Sequence, residues 1–94
     1  MKTIYRYPLD GDVTDIQLPE KAIVRKVGYE NSKRGKLNIW VELDTEDEDI
    51  VKRRFVIFGT GANMDSIQDY NPRYIDTIKR ANEYAAHIFE VDVK

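Results

Sequence analysis

Long stretches of the chain alternate apolar and polar residues with a period of two, the pattern of β-strands with one buried face. The cleanest alternation runs from residue 36 to residue 43, where every second residue is apolar: Leu37, Ile39, Val41 and Leu43. We predict that these four side chains belong to the core. Trp40 then lies on the opposite face of the same strand, either under a second layer or exposed to a partner.

One segment lacks this alternation and predicts a strand that is buried on both faces. Residues 55–58 are all apolar, follow Arg53 and Arg54, and run into a Gly-Thr-Gly sequence at 59–61. The apolar residues are β-branched or aromatic, and the run is too short for a convincing helix. We predict that this is the central strand, with Phe55 and Ile57 in the core and a turn at its end that glycine makes easily.

Three further strands are predicted nearer the N-terminus, at residues 2–7, 13–18 and 21–30. Pro8 and Pro19 follow the first two, which fits because proline cannot donate a hydrogen bond to a strand ladder. In the third strand, strict alternation places Ile23, Val27 and Tyr29 on one face. Residues 31–35 read as a hairpin loop, residues 44–49 as an acidic hairpin tip, and residues 59–72 as an extended loop.

The C-terminal segment fits two interpretations. Asn71 and Pro72 suit the start of a helix, and five apolar residues follow at helical spacing: Tyr74, Ile78, Ala81, Ala85 and Ile88. The same segment also divides into strands at residues 74–79 and 84–91, joined by residues 80–83 as a hairpin turn. Spacing alone favours the helix.

These patterns predict a mainly β fold, a sandwich or small barrel of six or seven strands that forms one domain over residues 1–94. The alternative is an α+β fold in which a helix from about Pro72 to Ile88 packs on the sheet. The chain has no cysteine, which excludes disulfides and thiolate metal sites. Its net charge of −2 gives no global attraction to nucleic acid, and its apolar runs are too short to span a membrane. We expect a cytoplasmic protein that binds neither membrane nor nucleic acid.

Three segments carry a family resemblance: KTIYRYPL at residues 2–9, RFVIFGTG at residues 54–61 and HIFE at residues 87–90. Together they resemble a family of small proteins of unknown function that phages and prophages encode. The strand around Trp40 and the segment at residues 74–77 are similar to further elements of that family. The chain departs from it in a longer acidic loop and in Ala85-Ala86. The resemblance implies a compact β domain of viral origin with a C-terminal hairpin, and it supplies no catalytic residue.

The turn after the central strand is one candidate ligand site. Consecutive backbone N–H groups in Gly59, Thr60, Gly61 and Asn63 are suited to cradle an anion, although the sequence lacks the third glycine or the lysine of known phosphate loops. A plain turn at the end of a strand is the other interpretation. A rise of about 3.3 Å per residue places Arg54 about 17 Å from Gly59, so the positive charge has to come from another strand or a neighbouring subunit.

Aromatic and basic residues form the second candidate site, because such surfaces stack bases and hold phosphates. The residues concerned are Trp40 and Arg6, with Tyr5, Tyr7, Tyr29, Arg25 and Lys36. They are also ordinary constituents of β-sheets. The ligand-binding residues that we predict for the whole chain are therefore Arg6, Trp40, Arg54, Gly59, Thr60, Gly61 and Asn63.

We predict no catalytic residue, metal site or cofactor. The acidic run that begins at Asp44 lacks the glycine and the final glutamate of a calcium loop. His87 is the only histidine, and no Ser-His-Asp pattern accompanies it.

The sequence leads to three hypotheses of function. The first is a non-enzymatic viral binder that sequesters a nucleotide-type signalling molecule or a host defence protein. Assembly into a homo-oligomer is compatible with this role. The second is a structural or accessory interaction module without a small ligand. The third, a small hydrolase, requires His87 to lie close to acidic residues in a cleft.

Overall fold

The computed structural model describes residues 1–31, 34–79 and 85–93, apart from the side chains of residues 30, 31, 34 and 35. The described residues form seven strands and one short 3₁₀ helix, Asp65–Tyr70, between the fifth and sixth strands. The strands are β1 Lys2–Pro8, β2 Val13–Pro19, β3 Ile23–Asn31, β4 Arg34–Asp44, β5 Ile50–Gly59, β6 Arg73–Lys79 and β7 Ala85–Val91.

The strands pair into two antiparallel sheets. Sheet A has the order β1-β4-β3, and sheet B has the order β2-β5-β7-β6. Buried side chains from both sheets meet in one apolar cluster, which makes the fold a β-sandwich. The prediction of a mainly β fold is therefore confirmed.

The alternative interpretation, a helix from about Pro72 to Ile88, is wrong, because this part of the chain contributes the paired strands β6 and β7. Ile88 of β7 lies opposite Ile57 of β5 and opposite Asp76 of β6, so β7 has a strand partner on each side. Ala86 and Ile88 are buried with the period of two that a strand requires. The residues that we assigned to the hairpin turn, 80–83, lie outside the described part of the chain.

β5 is the interior strand that the sequence predicts, since it lies between β2 and β7. Phe55 on its inner face is 1% exposed, and Val56 on its outer face is 4% exposed beneath Ile67 of the 3₁₀ helix. Leu37, Ile39 and Val41 are buried as predicted. Ile57, on the same inner face as Phe55, is partly buried and packs against the core cluster.

The segment after β5 is more ordered than the extended loop that its composition predicts. A turn closed by the hydrogen bond from the N–H of Ala62 to the carbonyl of Gly59 (3.1 Å) leads into the 3₁₀ helix. Gly61 has φ 86°, a conformation that glycine adopts without strain. Among the described residues, no helix is long and apolar enough to cross a membrane.

Two local predictions are wrong for topological reasons. Residues 44–49 do not form the predicted hairpin tip, because β4, which ends at Asp44, and β5 belong to different sheets. Ile23 and Val27 do not share a face, because the register shifts between Val24 and Lys26, where Arg25 is the extra residue of a β-bulge. Ile23 is consequently 45% exposed on the outer face, whereas Val27 is 3% exposed in the core.

Candidate ligand-binding surface

Trp40 lies in the middle strand of sheet A, on the face that points away from the core. The alternation of β4 puts it there, because its neighbours Ile39 and Val41 are buried inward. Arg6 of β1 lies opposite Trp40 on one side, and Lys26 of β3 lies opposite it on the other. Three strands thus place an aromatic ring between two cations in one row across the sheet.

The indole is held against the sheet by β3. Cζ3 of Trp40 lies 3.7 Å from the position that a Cβ on Gly28 would take, so the ring packs over a glycine. Nζ of Lys26 lies 5.7 Å from the centroid of the ring, within the range of a cation–π contact. The ring is therefore positioned with one cation at its face.

Positive charge predominates on this outer face of sheet A. Near the row of Trp40, the described side chains include four cations, Lys2, Arg6, Arg25 and Lys26, and two carboxylates, Glu42 and Asp44. Lys36 lies further along β4 on the same face and pairs with Asp10. The difference of four and two is +2, whereas the whole chain has a net charge of −2. An anionic ligand is attracted to this face in preference to the rest of the surface.

The two carboxylates of this face have partners within it. Glu42 contacts Arg25 (Nε to Oε1, 3.0 Å) and Lys2 (Nζ to Oε2, 3.9 Å). Asp44 accepts hydrogen bonds from the terminal amine of Met1 and from the N–H of Glu46, both at 3.0 Å. These bonds, the one from Glu46 first, lower the pKa of the Asp44 carboxyl. These partners of the two acids therefore lie outside the row of Arg6, Trp40 and Lys26.

The other predicted site residues lie on sheet B. Thr60 occupies the turn between Gly59 and Gly61, and its Oγ1 lies 2.8 Å from Nε2 of His87. Oδ1 of Asn63 accepts the N–H of Asp65 at the start of the 3₁₀ helix (2.8 Å), which gives this residue a role in the loop itself. The seven predicted residues therefore divide between two sheets and do not form one site.

Neither arginine of β5 supplies charge to the Gly-Thr-Gly turn. Arg54 makes a two-point contact with Asp15 of β2 (2.7 and 2.9 Å), on the outer face of sheet B. Arg53 points inward and makes a two-point contact with Glu90 (2.7 and 2.8 Å). The described part of the chain also contains no group of three His, Cys, Asp or Glu residues that is arranged to hold a metal.

The Arg54–Asp15 pair predicts a pH dependence of stability. Hydrogen bonds from Arg54 lower the pKa of the Asp15 carboxyl. A lowered pKa in the folded state stabilises the fold above the unfolded value of about 3.9, and this contribution disappears as pH falls through the folded value. Asp15→Asn should therefore be less stable than the parent at pH 7, with a difference that shrinks steadily in acid.

Chemical denaturation between pH 7 and pH 3 measures this difference. Arg54→Leu removes the same contact from the other side and should show the same pH dependence. A difference for Asp15→Asn that stays constant with pH would contradict this role of the pair.

Lys26 is the residue of this surface that the sequence reasoning missed. Strict alternation in β3 cannot align it with Trp40, because the bulge at Arg25 sets the register. The bulge leaves no clear signal in a single sequence, since Arg25 and Lys26 are both basic.

A family model matches the chain over residues 1–94. The chain belongs to the DUF7352 family. That family is described as a domain of unknown function. No curated protein matches this DUF7352 chain, and no solved structure matches it. Its function has therefore to be argued from the surface around Trp40.

Proposed function

We propose that this DUF7352 protein is a non-enzymatic binder that holds a nucleotide-type ligand on the outer face of sheet A. The base of the ligand stacks on the indole of Trp40, and its phosphate lies between Arg6 and Lys26. The row Arg6–Trp40–Lys26 is the observation that carries the proposal. An aromatic ring on an open sheet, flanked by cations, is a common means of binding bases and phosphates.

The arrangement suits a ligand that combines a flat ring with a negative charge. Stacking of a base on an aromatic side chain contributes about 1–3 kcal/mol. The ammonium of Lys26 lies over the indole in the free protein and moves aside when a base stacks there. It then stays close enough to pair with the phosphate, so the cation–π contact is exchanged for a charge-assisted hydrogen bond.

Sequestration is the biological role that we propose for this binding. The resemblance to phage and prophage proteins supports a protein that lowers the free concentration of a host signalling nucleotide. Such a protein needs affinity and abundance but no catalytic group. A host defence protein is a second target that is compatible with a role in sequestration.

Trp40→Ala should weaken nucleotide binding and leave the fold intact. Loss of stacking alone lowers affinity by about 10-fold or more, since 1.4 kcal/mol corresponds to a factor of ten. Trp40 is the only tryptophan, so quenching of intrinsic fluorescence reports directly on ligand at this ring in any protein that keeps it. Isothermal titration calorimetry measures the affinity of Trp40→Ala, which has no tryptophan, and of the parent for comparison. Cyclic mononucleotides, cyclic dinucleotides and cyclic ADP-ribose isomers are the compounds to titrate.

The matched control is Tyr5→Ala. Tyr5 is 46% exposed, and it lies on β1 next to Arg6 but on the opposite face of the strand. This variant should bind as the parent does. The proposal would be overturned if no nucleotide quenched the fluorescence of the parent, or if Trp40→Ala and Tyr5→Ala lost nucleotide affinity to the same extent. Raising the salt concentration should weaken a true interaction, because screening reduces the attraction of phosphate to Arg6 and Lys26.

A protein-interaction module is the second candidate, and the apolar residues of the same face favour it. Ile4 is 53% exposed and Ile23 is 45% exposed, on either side of Glu42 and next to the row of Trp40. A second copy of the chain is one partner that fits. Sedimentation velocity of the parent and of Ile4→Ser measures this, and a dimer that the substitution dissociates favours the second candidate.

A further inference from the structure

The outer face of sheet B contains a second cluster, separate from the surface around Trp40. Oγ1 of Thr60 lies 2.8 Å from Nε2 of His87, and Oγ1 of Thr77 lies 2.9 Å from Nδ1 of the same ring. The hydroxyl oxygen of Tyr74 lies 2.7 Å from Oγ1 of Thr77. A continuous path of hydrogen bonds therefore links an exposed threonine in a turn to a tyrosine that is 60% exposed.

Either tautomer of His87 satisfies every contact in this path, and only the one protonated on Nδ1 leaves Nε2 able to act as a base toward Thr60. With the proton on Nδ1, the hydroxyl of Thr60 donates to Nε2, and Nδ1–H donates to Thr77. The hydroxyl of Thr77 then donates to the oxygen of Tyr74. The unprotonated Nε2 is thus directed at the Thr60 hydroxyl, while a third group fixes the ring, which is the general arrangement of an activated nucleophile.

The surrounding fold holds these groups rigidly. Thr60 is fixed by the turn that the Ala62-to-Gly59 hydrogen bond closes, and His87 is paired with Phe58 of β5 in the ladder of sheet B. Thr77 lies directly opposite His87 on β6, and Lys79 follows it on the same face of that strand. The nucleophile therefore sits in the turn that follows β5 and the base on the neighbouring strand β7, with a cation at the same end of the sheet.

We infer that Thr60 is a nucleophile that accepts a phosphoryl group from an activated phosphoryl compound, with His87 as its base. Oγ1 of Thr60 forms the new bond to phosphorus, and the bond from phosphorus to the leaving group breaks. The leaving group takes the bonding electron pair, and the hydroxyl proton passes to Nε2 of His87. The imidazolium then returns this proton to the leaving group. The reaction modifies each chain once, so it does not require turnover and is independent of binding at Trp40.

Diisopropyl fluorophosphate tests the reactivity, because it transfers a phosphoryl group to activated hydroxyls and releases fluoride. Intact mass should show one added group per chain, and peptide mapping should place it on Thr60. Thr60→Val should remove the label, and His87→Gln should slow labelling by about 100-fold or more, the usual contribution of a general base. Thr77→Val should shift the midpoint of the pH–rate profile, which a purely structural role for this positioning residue would leave in place.

The matched control is Thr45→Val, since Thr45 is also an exposed threonine but its hydroxyl donates to the carbonyl of Met1 (3.2 Å) rather than to a base. This variant should be labelled at the parent rate. Melting curves establish that each variant is folded. Labelling of the parent that does not exceed that of Thr60→Val, or a label that maps to another residue, would overturn the inference. If His87→Gln fails to fold, the pH–rate profile of labelling in Thr77→Val replaces it as the test. A midpoint equal to that of the parent would then overturn the inference.

Discussion

Replacing Phe55 with alanine is expected to lower the free energy of unfolding by about 3–5 kcal/mol. The ring is 1% exposed and lies in the cluster that joins the two sheets, so its removal leaves a cavity that rigid strands cannot close. Small domains have a total stability of about 5–15 kcal/mol, and the loss is therefore a large part of the whole. Urea denaturation at equilibrium measures it.

Two other variants of sheet B provide a comparison for the stability loss expected from Phe55→Ala. Ile57→Ala removes a half-buried side chain two positions along β5 and should cost about 2 kcal/mol or less, the low end of the range for such truncations. Val13→Ala removes a side chain that is 56% exposed and should change stability by about 0.5 kcal/mol at most. Equal effects of Phe55→Ala and Ile57→Ala would show that the inner face of β5 is not buried as described.

Strand positions could be predicted because the signal is local. The period of two in β4 and the wholly apolar run in β5 reflect burial on one face and on both faces, and the structure has strands at both places. The C-terminal segment was ambiguous because its apolar residues fit a helix as well as a hairpin. Pairing with β5 decides for the hairpin, and no local pattern contains that information.

The candidate surface could be predicted only in part. Composition indicates Arg6 and Trp40 as candidates. Their adjacency depends on the register between β1 and β4, which pairs residues 6 and 40 across a long stretch of chain. Lys26 reaches the same row through a bulge, which alternation cannot predict. The contact between Thr60 and His87 likewise joins residues that are 27 positions apart. Residue types identify candidates, whereas pairing between distant strands decides which of them meet.

The ion pair of Arg53 and Glu90 gives the second large effect. Their side chains are 14% and 12% exposed, and the two-point contact joins β5 to β7 on the inner face of sheet B. Arg53 also donates from Nη1 to the carbonyl of Ala22 (2.6 Å), in the connection that leads to sheet A. Removing one partner of such a pair leaves a poorly hydrated charge behind, which typically costs about 3–5 kcal/mol.

Arg53→Met and Glu90→Leu should lower the free energy of unfolding by different amounts, because the two side chains have different remaining partners. Arg53→Met leaves Glu90 with a second cation, because Nη2 of Arg73 lies 3.7 Å from Oε2 of Glu90. Glu90→Leu leaves Arg53 with the Ala22 carbonyl and without its carboxylate, whereas Arg73 keeps Asp92 at 2.8 Å. Glu90→Leu should therefore lower the free energy of unfolding by about 3 kcal/mol and Arg53→Met by less.

The double variant should recover most of the lost stability, because no unpaired charge remains and apolar groups fill the space. Urea denaturation of all four proteins measures the cycle. A double variant as unstable as Glu90→Leu would show that lost packing, rather than an uncompensated guanidinium, is the cause.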